Sequence, residues 1–129
     1  MNPSSRLVAL LALLGTSCVS AGPIDVLYSE PAKHVGQVAS VEGYLKFGFE
    51  NRNLYPSANW EADWRSGNCL PLGIRTADST LLENAERLDG QRVIVTGEVR
   101  EILSEGVISN SFCKRVGMMV THIEPARPG

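Results

Sequence analysis

At 129 residues, with 14 Asp and Glu against 12 Lys and Arg, the chain is sized for one domain and carries a formal charge of -2 at pH 7. That balance leaves no basic excess to neutralise phosphates, which argues against a nucleic-acid partner. Three cysteines are too few for a disulfide-dense scaffold.

The first segment has the layout of an export leader. A polar start with one cation, "MNPSSR", precedes the apolar run "LVALLALLG", and "TSCVSAG" follows with Val19 and Ala21 at the small-residue positions before a cut. The apolar run is shorter than the roughly 20 residues a membrane-spanning helix needs. Cleavage is expected after Ala21, leaving a mature chain that begins at Gly22 and is periplasmic or secreted. Removing residues 1–21 deletes one cation, Arg6, and no acid, so -2 becomes -3. A lipid anchor on Cys18 is the competing reading, but Leu14 stands four places ahead of it where the lipoprotein pattern wants Leu three ahead. With Cys18 removed, Cys69 and Cys113 remain, and two cysteines in an oxidising compartment are expected to pair.

Residues 22–34, "GPIDVLYSEPAKH", carry two prolines and no clean period, and are expected to form an extended lead-in whose Val26, Leu27 and Tyr28 dock on the domain. From Val35 apolar residues alternate with polar ones: Val35, Ala39, Val41, Leu45, Phe47 and Phe49 share one parity, Ser40, Glu42, Lys46 and Glu50 the other. This predicts a long half-buried strand punctuated by Gly36, Gly43 and Gly48, where bends or bulges are expected. A second strand is placed near Asn51 to Tyr55. "CLPLGIR" predicts a short buried or edge strand. "TLLENAERLDG" predicts a helix with Leu81, Leu82, Ala85 and Leu88 inward, a Thr80/Glu83 capping box and a stop at Asp89-Gly90. Two further strands follow, with Val93, Val95 and Val99, then Val116, Met118 and Val120, inward; "SEGVISNSF" joins them as a loop or hairpin tip.

This order resembles the OB-fold, a small five-stranded barrel with one short helix between the third and fourth strands, and the chain looks broadly like small exported bacterial OB-fold proteins. The resemblance spans residues 35–124 and is one of element order. The domain is therefore set at 35–125, with 126–129 as a tail. In that fold the third and fifth strands are parallel neighbours, and Cys69 and Cys113 stand at the starts of those two segments, where a bridge would be natural.

Chemistry-bearing residues are sparse. His34 and His122 stand near strand ends without a nucleophile motif beside them, and His34, His122 and Glu124 lack close metal-ligand spacing, so neither a metal nor a cofactor is expected. Arg92, Glu98, Arg100 and Glu101 alternate in sign and read as a solvated strand face rather than a nuclease site. The anomaly is "GFENRNLYPSANWEADWRSGNC", residues 48–69: with Tyr44 and Phe47 just before it, its Phe49, Tyr55, Trp60 and Trp64 place six of the eight aromatics within about 20 residues. Ser57, after Pro56, is a candidate helix cap, and Trp60 and Trp64, four apart, would share one side of a helical turn. One reading makes the pair a lid that plugs an end of the barrel. The other makes Arg52, Tyr55, Trp60 and Trp64 a stacking face for a small molecule, glycan or protein. The small size of the chain favours the lid, with Arg52 and Tyr55 as exposed remnants of a site. A noncatalytic binding module is expected; the alternative is a small exported hydrolase acting on phosphate esters or glycans.

Overall fold

The computed structural model describes residues 18–20, 24–102, 107–108 and 113–127. The leader expectation falls almost wholly outside the described residues. Of it, only Cys18–Ser20 is placed, as a short strand β1.

The protein is mainly β. β2 (Val38–Gly48), β3 (Asn51–Tyr55), β4 (Leu70–Arg75), β5 (Arg92–Glu101) and β7 (Val116–Pro125) are joined by a two-residue strand β6 (Val107–Ile108) that pairs with β4. Three short helices interrupt them: α1 (Ile24–Ser29), α2 (Trp60–Arg65) and α3 (Ser79–Arg87). Pairing runs β2 to β3, β3 to β4, β4 to β7, β7 to β5 and β5 back to β2, so each of these five strands pairs with two others of the five. All these pairs are antiparallel except β4 with β7, which is parallel through Leu72/Met118 and Gly73/Met119. β1 lies parallel to the first residues of β2.

The alternation read from β2 holds from Ala39 to Phe47, whose odd-numbered residues enter the core beside Leu54, Leu72, Val93, Val95, Val99 and Met118. It fails at both ends. Val35 is exposed because Gly36, at φ +95°, turns the chain before the strand begins, and Phe49 is exposed because β2 stops at Gly48 and the chain reverses through Glu50, at φ +69°. Gly43 marks no bend. A Cβ there would strike the Tyr28 hydroxyl and the Tyr55 carbonyl, so glycine makes room for a side chain arriving from another element.

That side chain belongs to the lead-in, which is not extended. It forms α1 and a 3-10 turn (Pro31–His34), and Leu27 and Tyr28 enter the core, Tyr28 with 1% of its surface exposed. A helical turn lets two consecutive residues reach the interior together, which an extended segment with alternating faces would not. The expected helix forms as α3 between β4 and β5, burying Leu81, Ala85 and, just past its end, Leu88. Its cap is Asp78 rather than Thr80: Asp78 Oδ1 accepts from Leu81 N at 3.1 Å.

β5 and β7 form the longest ladder, and it slips by one residue between Thr96 and Gly97. Thr96 opposes His122 while Gly97 opposes Val120, so Thr121 is the extra residue of a bulge. The slip reverses the parity of β7: Met118 and Val120 enter the core before it and Ile123 after it, while Met119 is buried as well. A disulfide joins Cys69 to Cys113, with Cα atoms 6.5 Å apart, at the entrances to β4 and β7. Among the described residues, no helix is long and apolar enough to cross a membrane.

Candidate aromatic groove

Directly opposed residues of an antiparallel pair share a face, and successive residues alternate. Leu54 opposes Leu45 and Arg52 opposes Phe47, so these belong with the core side of the β2–β3 hairpin. Asn51, Asn53 and Tyr55 lie on the other face, where Tyr55 opposes Tyr44 and Asn53 opposes Lys46. α2 packs over this second face. The Trp60 ring lies 6.0 Å from that of Tyr55, and Lys46 Nζ stands 5.4 Å from the Trp60 ring centre, an arrangement that favours a cation over the indole.

The tryptophans therefore do not plug the ring of strands. None of the residues of α2 is buried, and Trp64 keeps 46% of its surface exposed. The plug expectation overestimates how much of the molecule's interior needs filling; Leu27 and Tyr28 already enter it from the N-terminal side. Tyr55, expected among the exposed remnants, is fully buried. Arg52 leaves the group altogether: its guanidinium carbon lies 5.5 Å from the Phe47 ring centre, on the opposite face of the hairpin, and its Nε is buried without a hydrogen-bond partner. Of the four residues singled out from sequence, the fold gathers Tyr55, Trp60 and Trp64.

Beneath α2 is a polar network that the sequence reading missed. Tyr55 Oη donates to Asn51 Oδ1 at 2.8 Å, and Asn53 Nδ2 donates to the same oxygen at 2.7 Å and to Tyr55 Oη at 3.2 Å. Asn53 is almost wholly buried, and a buried amide is tolerable because it is hydrogen-bonded. Burial, opposed by these bonds, raises the Tyr55 phenol above its ordinary range, with the Asp63 carboxylate adding to the rise. The tyrosine is thus a neutral donor across the physiological range. The alternation Asn51, Asn53, Tyr55 is a period-two polar pattern that could have pointed to this network.

The covering segment is fixed at several points. Asp63 Oδ2 accepts from Ser57 N at 3.0 Å and from Ser57 Oγ at 2.8 Å, and Asn59, not Ser57, caps α2 through Ala62 N. Further along, Lys114 Nζ donates to the carbonyls of Gly67 and Cys69, the latter at 3.1 Å, and lies 3.8 and 3.9 Å from the two disulfide sulfurs. Burial pushes the Lys114 ammonium below its usual range. The residues between Ser57 and Cys69 are held at both ends.

The result is an open groove of about 580 Å³ between the β2–β3 turn and α2. Phe49, Trp60 and Trp64 line it with aromatic rings, and Glu50, Asn51, Glu61 and Arg65 line it with polar groups. Phe49 is 79% exposed. Two large hydrophobic side chains left in water on either side of one groove mark a surface suited to contact.

A second cleft of about 590 Å³ separates α3 from β7. Three of its polar groups serve the fold: Asp78 caps α3, Asn84 Nδ2 donates to the Ile123 carbonyl at 2.8 Å, and Thr121 Oγ1 donates to the Thr96 carbonyl at 3.2 Å. His122 Nε2 lies 2.9 Å from Glu124 Oε1, and both side chains are at least half exposed. His34 Nδ1 is 3.2 Å from Gln37 Oε1. Among the described residues, no three His, Cys, Asp or Glu side chains come together as metal ligands. Compared with known families and curated proteins, the chain matches no family model and no curated sequence.

Proposed function

We propose that the protein is an exported, noncatalytic binding module built on an OB-like barrel, and that the groove between α2 and the β2–β3 turn is its ligand site. The ring of five pairings, the parallel β4–β7 contact and α3 between β4 and β5 support the barrel reading. The leader-like residues 1–21 and the disulfide support export to a periplasm or the exterior.

The observation that carries the binding reading is the pairing of exposed Phe49 and Trp64 across a groove whose frame is tied down by Ser57, Asp63 and Lys114. Rigid aromatics offer large contact area with little ordering cost on binding. The test uses the neutral dye Nile red, whose fluorescence rises in apolar surroundings. The native protein should bind it, and Phe49→Ala/Trp64→Ala should lose binding while retaining the native circular dichroism spectrum. Undiminished binding by the double variant would place the apolar site elsewhere.

A further inference from the structure

We infer that the ligand of this groove is a neutral glycan whose pyranose rings carry equatorial substituents, and that Asn51 reads it; this rests on the groove being the binding site. Asn51 carries the inference because the fold fixes its carboxamide. Its oxygen is engaged twice, by Tyr55 Oη and Asn53 Nδ2, which aligns the group and commits that atom. The Nδ2 hydrogens of Asn51, which borders the groove, are then the donors available to a ligand. A donor held from behind by a buried network costs no reorganisation when it is used.

The remaining groups match hydroxyl chemistry. Each sugar hydroxyl is both donor and acceptor; the Glu50 and Glu61 carboxylates accept, and Asn51 and Arg65 donate. The apolar C–H face of an equatorially substituted pyranose matches flat aromatic walls such as Trp60 and Trp64. The Glu50 and Glu61 carboxylates offset the Arg65 guanidinium and the Lys46 ammonium over Trp60, so the groove has no cationic excess to hold a polyanion, which disfavours nucleic acids and sulfated glycans. The groove is open rather than enclosed, which suits a chain of sugar rings lying across it more than one small molecule sealed inside.

The experiment is calorimetric titration with chitotetraose and cellotetraose, with a heparin tetrasaccharide as the anionic control, on the native chain and on Asn51→Asp. That substitution keeps the oxygen that Tyr55 and Asn53 need and removes the amide donor. At least one neutral tetrasaccharide should bind in the micromolar to millimolar range, heparin should not, and Asn51→Asp should weaken neutral binding by about tenfold or more. Asn51→Asp should retain the native circular dichroism spectrum. Equal glycan affinity in Asn51→Asp, or preference for heparin, would overturn the inference. Nile red binding that depends on Phe49 and Trp64, without binding of either neutral glycan, would overturn the ligand class and leave the site standing. Failure of both dye and glycans would overturn site and ligand together.

Discussion

Replacing both Cys69 and Cys113 with Ala should destabilise the protein by about 4 kcal/mol. The magnitude follows from the sequence separation of 44 between the two residues: in the chain-entropy treatment, opening a loop of that size returns roughly 13 cal/mol/K to the unfolded chain, or about 4 kcal/mol at 25 °C. The structure gives the bridge unusual weight. The parallel ladder of β4 with β7 registers two residue pairs, Leu72/Met118 and Gly73/Met119, and the cross-link sits at its entrance. Urea unfolding followed by tryptophan fluorescence measures the loss. With an m-value of about 1.5 kcal/mol/M, the midpoint should fall by roughly 2.7 M, and m should rise because the unfolded chain is less constrained. A midpoint shift below about 0.5 M would mean that the bridge neither restrains the unfolded chain nor secures the β4–β7 contact.

Three further outcomes are expected. Burial, reinforced by the Asp63 and Glu42 charges, raises the Tyr28 phenol above its ordinary range. Below about pH 10 the phenol is neutral folded or unfolded; above it the unfolded chain ionises while the native state holds its proton, so stability falls by up to about 1.4 kcal/mol per pH unit. Tyr28→Phe should make the stability profile above pH 10 shallower by about that amount, and an unchanged slope would contradict the burial of this hydroxyl. Gly97→Ala should cost about 2 kcal/mol or more, since its Cβ would strike the Met119 carbonyl at the bulge, and a neutral effect on thermal unfolding would show that the bulge is not there. Protein recovered from an exporting host should have an intact mass that begins at Gly22 and is two hydrogens below the reduced value; a lipid-bearing Cys18 would refute the processing.

The features legible in sequence are those set by local periodicity. The odd-parity core of β2, the place of β3 and the helix around Leu81 and Ala85 follow from spacing that survives folding, and the pairing of Cys69 with Cys113 follows from their being the two cysteines left after the leader. What failed depended on partners distant in sequence. Gly43 resembles a strand bend until Tyr28 is seen to occupy its vacant side-chain space, and the parity of β7 could not be read because the extra residue at Thr121 is defined only against Thr96 and Gly97. The site was half legible for the same reason. Trp60 and Trp64 were visible as a four-residue repeat, but on which face of the hairpin they would settle depended on β3 parity, which separates Arg52 from Tyr55. Phe49 carried the parity of a core residue and is exposed because the strand ends one residue before it.

The most direct test of the groove as the ligand site is a proton–nitrogen NMR titration of the native chain with chitotetraose. Shifts should concentrate at the indole N–H groups of Trp60 and Trp64, the Asn51 carboxamide and the backbone amides of Phe49 and Glu50. Shifts centred instead on Thr80, Asn84 and His122, in the cleft between α3 and β7, would contradict it.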